Sequence, residues 1–153
     1  MTIQEILTTE LEKLKSDIIV NHERAGQVAS GRTRDSLSVE NVSDSGGELQ
    51  GASYLGVLER GRKGGKVPYN FIEILKKWAT HKGISFSNEK DFNRWAYFVQ
   101  KKIKADGTEL YRRSPGNRNE DIFDTPIKDF TKRLGEQVGK IYQTQIANEI
   151  FNF

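Results

Sequence analysis

Three groups of residues in this chain carry side chains at spacings that chemistry can use. Glu120, Asp121 and Asp124 place three carboxylates in one short stretch. Such a cluster can hold a divalent cation. It also stands just before an amphipathic segment, where acidic groups complement the dipole of a helix N-terminus, and that reading is preferred. His22 and His81 each fall near the end of a helical pattern, where the helix C-terminus stabilises a cationic imidazole, so both read as solvated helix-end histidines. Gly61-Arg-Lys-Gly-Gly-Lys-Val67 and Gly135-Glu-Gln-Val-Gly-Lys-Ile141 end in Gly-Lys as a phosphate loop does. Each is one residue short of that motif and lacks the Ser or Thr that would ligate magnesium, and the second lies inside a long helical pattern. No Gly-x-Ser-x-Gly elbow occurs. The absence of cysteine removes disulfides, thiolate zinc sites, iron–sulfur clusters and cysteine nucleophiles together. No enzymatic activity and no cofactor is expected.

What remains is positive charge. Arg60, Arg62, Lys63 and Lys66 crowd a glycine-rich stretch that follows Glu59, and Arg112, Arg113 and Arg118 form a second basic set. Such loops can reach phosphate or dock on an acidic patch of a partner chain. Trp78, Phe92, Trp95 and Phe130 sit on the apolar faces of helical patterns instead of alternating with these cations, which argues against stacking on single strands. Overall, 24 Lys and Arg against 21 Asp and Glu give a net charge of +3. That is mild for a nucleic-acid binder.

The elements that must position these residues are legible as periodicities. Ile3, Leu7, Leu11, Leu14 and Ile18 mark one face of a helix running to about residue 22 or 25. The polar stretch 26–34 is a loop or a short helix. From Leu37 the period changes to two, and it resumes over 48–54 after Asp-Ser-Gly-Gly at 44–47. This is a hairpin whose glycines are expected to supply the positive φ of its turn. A helical turn over 54–60 stops at Gly61, and 61–68 is an exposed loop. Asn70 is placed to cap a helix with Phe71, Ile74, Leu75, Trp78 and Ala79 on its inner side, ending at Gly83. Asn88 starts another, carrying Phe92, Trp95, Ala96, Val99 and Ile103, and Gly107 ends it. Thr108–Arg113 is expected as a third strand and 114–121 as a loop. Thr125 and Pro126 then open the last helix, with Ile127, Phe130, Leu134, Val138, Ile141 and Ile146 at helical spacing to about Ile150. The fold class is α+β in a single domain, 1–153: long N- and C-terminal helices and two central helices around a small antiparallel hairpin. No 18-residue apolar run or signal-peptide pattern occurs, so a soluble chain made inside the cell, with no membrane partner, is expected.

The order of these segments resembles a known family. Gly31-Arg-Thr-Arg-Asp-Ser-Leu37, between the first helix and the hairpin, is similar to the G-x-[LT]-[RK]-x-S-[IL] segment of tailed-bacteriophage head–tail connector and tail-completion (minor tail) proteins. Gly51–Pro68 resembles the family's Tyr-containing segment leading into Glu-x-Gly and a basic, proline-closed loop, with Gly65 where that pattern carries proline. Ile72–Ile84, with its Trp78 and Lys-Gly-Ile stop, and Ala96–Thr108 follow in the expected order. The resemblance covers roughly residues 1–113. It implies a structural virion protein that forms a homo-oligomeric ring at the neck or the top of the tail and lets double-stranded DNA pass. Its partners would be other copies of itself and portal, neck or tail proteins, first in the host cytoplasm and then in the virion. Candidate subunit or DNA contacts are Glu59, Arg60, Arg62, Lys63, Lys66, Arg112, Arg113 and Arg118, the hairpin turn at 44–47, and the terminal Phe151 and Phe153, whose rings are costly to leave in water. The alternative is a nucleic-acid-binding accessory protein using the loops 60–68 and 112–118.

Overall fold

The computed structural model describes residues 1–113 and 120–151. Helix α1 (Ile3–Arg24) opens with a capping box: the Thr2 hydroxyl accepts the Glu5 N–H at 3.1 Å, and the Glu5 carboxylate accepts the Thr2 N–H at 2.7 Å. Its face of Ile6, Leu7, Leu11, Leu14 and Ile18 is buried. A short helix α2 (Arg32–Asp35) leads to strands β1 (Ser38–Ser43) and β2 (Gly46–Gln50), paired antiparallel with Val39 opposite Leu49. The turn falls on Asp44 and Ser45, so Gly46 and Gly47 lie in β2, and the expected source of positive φ is corrected to Asn41, at 53°. Between Glu40 and Ser43 one extra residue of β1 is accommodated, a bulge that Asn41 absorbs. Gly47 has a different task. A Cβ there would stand 2.7 Å from Leu11 Cδ1, so its hydrogen lets the hairpin lie flat on α1. Gln4 of α1 also donates to Asp44 Oδ1 (2.9 Å) and to the Val42 carbonyl (3.1 Å), which ties the turn down.

Helix α3 (Leu55–Arg60) is followed by α4 (Phe71–His81) and α5 (Glu89–Asp106), packed against each other. Ala79 and Ala96 are both fully buried, which allows close approach. Asn70 occupies the N-cap position of α4 but makes no side-chain cap, whereas Asn88 caps α5 by accepting the Asp91 N–H at 2.9 Å. Phe86, Phe92 and Trp95 form an aromatic cluster with ring centroids 4.6–6.1 Å apart. The expected third strand is instead a short helix, α6 (Glu109–Arg112). Thr108 explains the difference: its N–H and hydroxyl are both taken by the backbone of Arg62, and the chain beyond closes a turn through Arg112 N–H to the Thr108 carbonyl (3.0 Å).

The last helix, α7 (Asp124–Phe151), is 28 residues, about 42 Å at 1.5 Å per residue. Its N-terminal half packs along α1. The central cluster joins Leu14 and Ile18 of α1 to Leu37 and Ile122, with Phe123 and Phe130 against it. Helix, hairpin and bundle together make the α+β architecture that the periodicities lead one to expect.

Candidate functional site

The loop 61–68 is not a free arm. Arg62 N–H donates to Thr108 Oγ1 (2.9 Å), Thr108 N–H to the Arg62 carbonyl (2.9 Å) and Gly65 N–H to the Lys104 carbonyl (2.8 Å). The loop is thus clasped to the end of α5. Within it the Arg62 guanidinium donates to the Lys66 carbonyl at 2.7 Å and lies 5.4 Å from the Phe71 ring centre. Arg60 meets both Asp124 oxygens at 3.1 Å. Two of the four cations between 60 and 66 are therefore engaged inside the chain, while Lys63 and Lys66 are exposed. Arg112 is exposed, and Arg113 pairs with Glu120. Arg118 and Phe153 lie outside the described residues. Phe151 is the last residue of α7, and its side chain is not among those described.

Glu59, grouped by sequence with the contact residues, is corrected to a buried structural group, only 3% exposed. Its carboxylate accepts the Phe123 N–H at 2.8 Å and the Asp124 N–H at 3.4 Å. It therefore caps the start of α7 from another helix, a role expected of Thr125. The Thr125 N–H and hydroxyl are held by Asp121 at 2.9 and 2.8 Å. Of the carboxylates at 120, 121 and 124, Asp121 holds the helix start while Glu120 pairs with Arg113 and Asp124 with Arg60, and no metal-binding group of His, Cys, Asp or Glu occurs among the described residues. Burial raises the Glu59 pKa against the two N–H bonds that favour its charged form, and the Asp124 charge adds to the rise. Folding then raises this group's affinity for a proton. Its contribution is fully present below the ordinary carboxylate value and is lost as pH climbs through the raised folded value. In Glu59→Gln that slope is expected to vanish. Urea denaturation from pH 4 to 7 should show the stability difference, wild type minus variant, shrinking as pH rises.

Helix α1 meets α7 through charge as well as apolar contact. Glu10, 5% exposed, accepts from Arg133 Nε at 2.7 Å and Gln137 Nε2 at 2.6 Å. Burial pushes its pKa up, but those hydrogen bonds and the Arg133 charge outweigh it and hold the carboxyl below its usual value.

Residues that sequence reading assigned elsewhere enclose a cavity of about 460 Å³. Ile74 and Trp78, expected on the inner face of α4, are 42% and 43% exposed and line it. His22, expected to be solvated, is corrected to buried, 4% exposed, and lines the same cavity with His81. The signal was available: His22 lies four residues beyond Ile18, in phase with Leu7, Leu11 and Leu14. Burial holds its imidazole below the usual histidine pKa, with Lys82 adding to the depression and Glu23 opposing it. A second, apolar groove of about 390 Å³ is bordered by Leu49, Leu55, Phe123 and Ile127.

At the far end of α7 every residue from 142 to 150 is exposed, and Tyr142, Ile146 and Ile150 fall on one stripe, 51–54% exposed. No helix among the described residues is long and apolar enough to cross a membrane. Compared with family models, curated proteins and solved structures, the chain matches none.

Proposed function

We propose that this chain is a structural virion subunit of a tailed bacteriophage, which joins copies of itself head to tail in a ring at the neck or the top of the tail. The order of motifs motivates the reading. The observation that carries it is the pairing, on one chain, of two unlike apolar surfaces. The stripe of Tyr142, Ile146 and Ile150 projects on a helical arm, and the groove at Leu49, Leu55, Phe123 and Ile127 lies open beside the core. A heterologous contact needs two non-identical faces, and repetition of such a contact at a fixed rotation closes a ring. The arm of one subunit in the groove of the next would remove both surfaces from water. The basic-loop reading as a nucleic-acid binder has less support, because Arg60 and Arg62 are already engaged within the chain.

Light scattering and negative-stain microscopy test the proposal. The expected result is a multimer or ring, formed alone or with tail proteins, that Ile146→Asp with Ile150→Asp converts to a monomer of unchanged helicity. Both sites are exposed, so the fold should tolerate them. A wild-type chain that stays monomeric at high concentration and is absent from particles would refute it.

A further inference from the structure

The cavity lined by His22, Gln27 and Trp78 is not used by the reading above. Two of the residues that line it carry a buried polar atom without a hydrogen bond among the described residues, His22 Nε2 and Gln27 Oε1. The Gln27 amide is oriented by its Nε2, which donates to the Leu58 carbonyl at 2.7 Å, so Oε1 is an acceptor waiting for an N–H or O–H. Arg32, Lys77 and His81 stand around the same cavity, none of them in an ion pair among the described residues, and no Asp or Glu lines it. The indole of Trp78 adds a half-exposed planar surface.

We infer that this cavity binds a ligand of the mononucleotide class, a planar nitrogen base joined to a phosphate. The Arg32 and Lys77 charges, uncompensated among the described residues, select an oxyanion, and a phosphate carrying more than one negative charge uses both where one carboxylate would not. The Gln27 acceptor selects a donor, which the amino or imino group of a base supplies and a simple aromatic acid lacks. The Trp78 indole offers a face on which a base can stack. The volume, about 460 Å³, lies within the range of small-molecule sites.

Calorimetric titration with AMP and with GMP, beside inorganic phosphate and adenosine alone, tests the assignment independently of any ring. One of the two nucleotides should bind with a submillimolar Kd, while phosphate and nucleoside bind about tenfold or more weakly, a difference of about 1.4 kcal/mol. Lys77→Ala and Trp78→Ala lie on exposed positions, should keep the fold by circular dichroism, and should each weaken binding about tenfold. The chain has two histidines, both at this cavity, so their imidazole proton resonances should both move on binding. Absence of binding at millimolar nucleotide, affinity unchanged in both variants, phosphate alone binding as tightly as nucleotide, or histidine signals that stay still would each overturn the assignment.

Discussion

Replacing Arg133 by methionine is expected to destabilise the chain by about 3–5 kcal/mol, because it strands a buried charge. Glu10 is 5% exposed and carries its carboxylate against Arg133 Nε and Gln137 Nε2. With Arg133 removed, the amide of Gln137 alone must satisfy an ion in a poorly hydrated seam. Among the described residues Glu10 accepts from no other α7 side chain, and Lys13, a further positive neighbour, acts only through its field. A further Arg133 nitrogen, Nη2, contributes less: it stands 3.9 Å from Asp17 and is buried without a hydrogen bond among the described residues. The triple replacement Glu10→Leu, Arg133→Met, Gln137→Leu removes all three polar groups together and is expected to recover most of the loss, since a buried ion pair is seldom better than apolar packing of equal volume. Urea denaturation of the wild type, single and triple variants at neutral pH measures this. A single variant within about 0.5 kcal/mol of wild type, the range of an ordinary surface change, would contradict it. On acidification the wild type should lose part of the same contribution, as pH falls below the ordinary carboxylate value and through the depressed Glu10 value.

The second large effect belongs to Gly107. Its φ of 84° and ψ of −176° lie in a region open almost only to glycine. A Cβ added there would stand 2.4 Å from the Arg62 carbonyl oxygen and 3.0 Å from Gly64 N, both backbone atoms that no rotamer change can move aside. Gly107→Ala must therefore either strain the backbone, at about 1–3 kcal/mol, or open the clasp and lose hydrogen bonds worth about 1 kcal/mol each. On either route the expected loss is about 1–3 kcal/mol, with a fall in Tm of roughly 2–12 °C for a domain of this size. Gly139→Ala is the contrast. That site is within α7 with nothing inside 4 Å of the added Cβ, and alanine there should stabilise by up to about 1 kcal/mol. Thermal melts of the two variants should therefore move in opposite directions. If the melt of Gly107→Ala matched wild type, the clasp would not constrain the loop.

Helix positions were legible in the sequence because the signals are local. The Asn88 cap, the Leu7–Ile18 ladder and the change to period two at Leu37 need no knowledge of the rest of the chain. The functional surfaces were less legible, because they depend on which distant elements meet. Glu59 was read with its basic neighbours, yet the backbone it caps lies 64 residues away, and no spacing announces that. Trp78 was assigned to the core from its phase on α4, but the 26–33 segment leaves a cavity on that side instead of filling it. Arg60 and Arg62 looked like free charge because their acceptors, Asp124 and the Lys66 carbonyl, are set by the folded path of the loop. His22 differs from these, since continuing the ladder from Ile18 by one further step would have placed it inside.

The Glu10–Arg133 contact also sets a clock on biosynthesis. The two residues are separated by 123 positions, so a ribosome adding about 5–20 residues per second completes Arg133 roughly 6–25 s after Glu10. Throughout that interval the apolar ladder of α1 lacks the face of α7 that completes its cover, and Glu10 lacks its Arg133 partner. The nascent chain is thus most prone to associate with its neighbours before α7 arrives, so α7 is the element whose delivery ends that exposure.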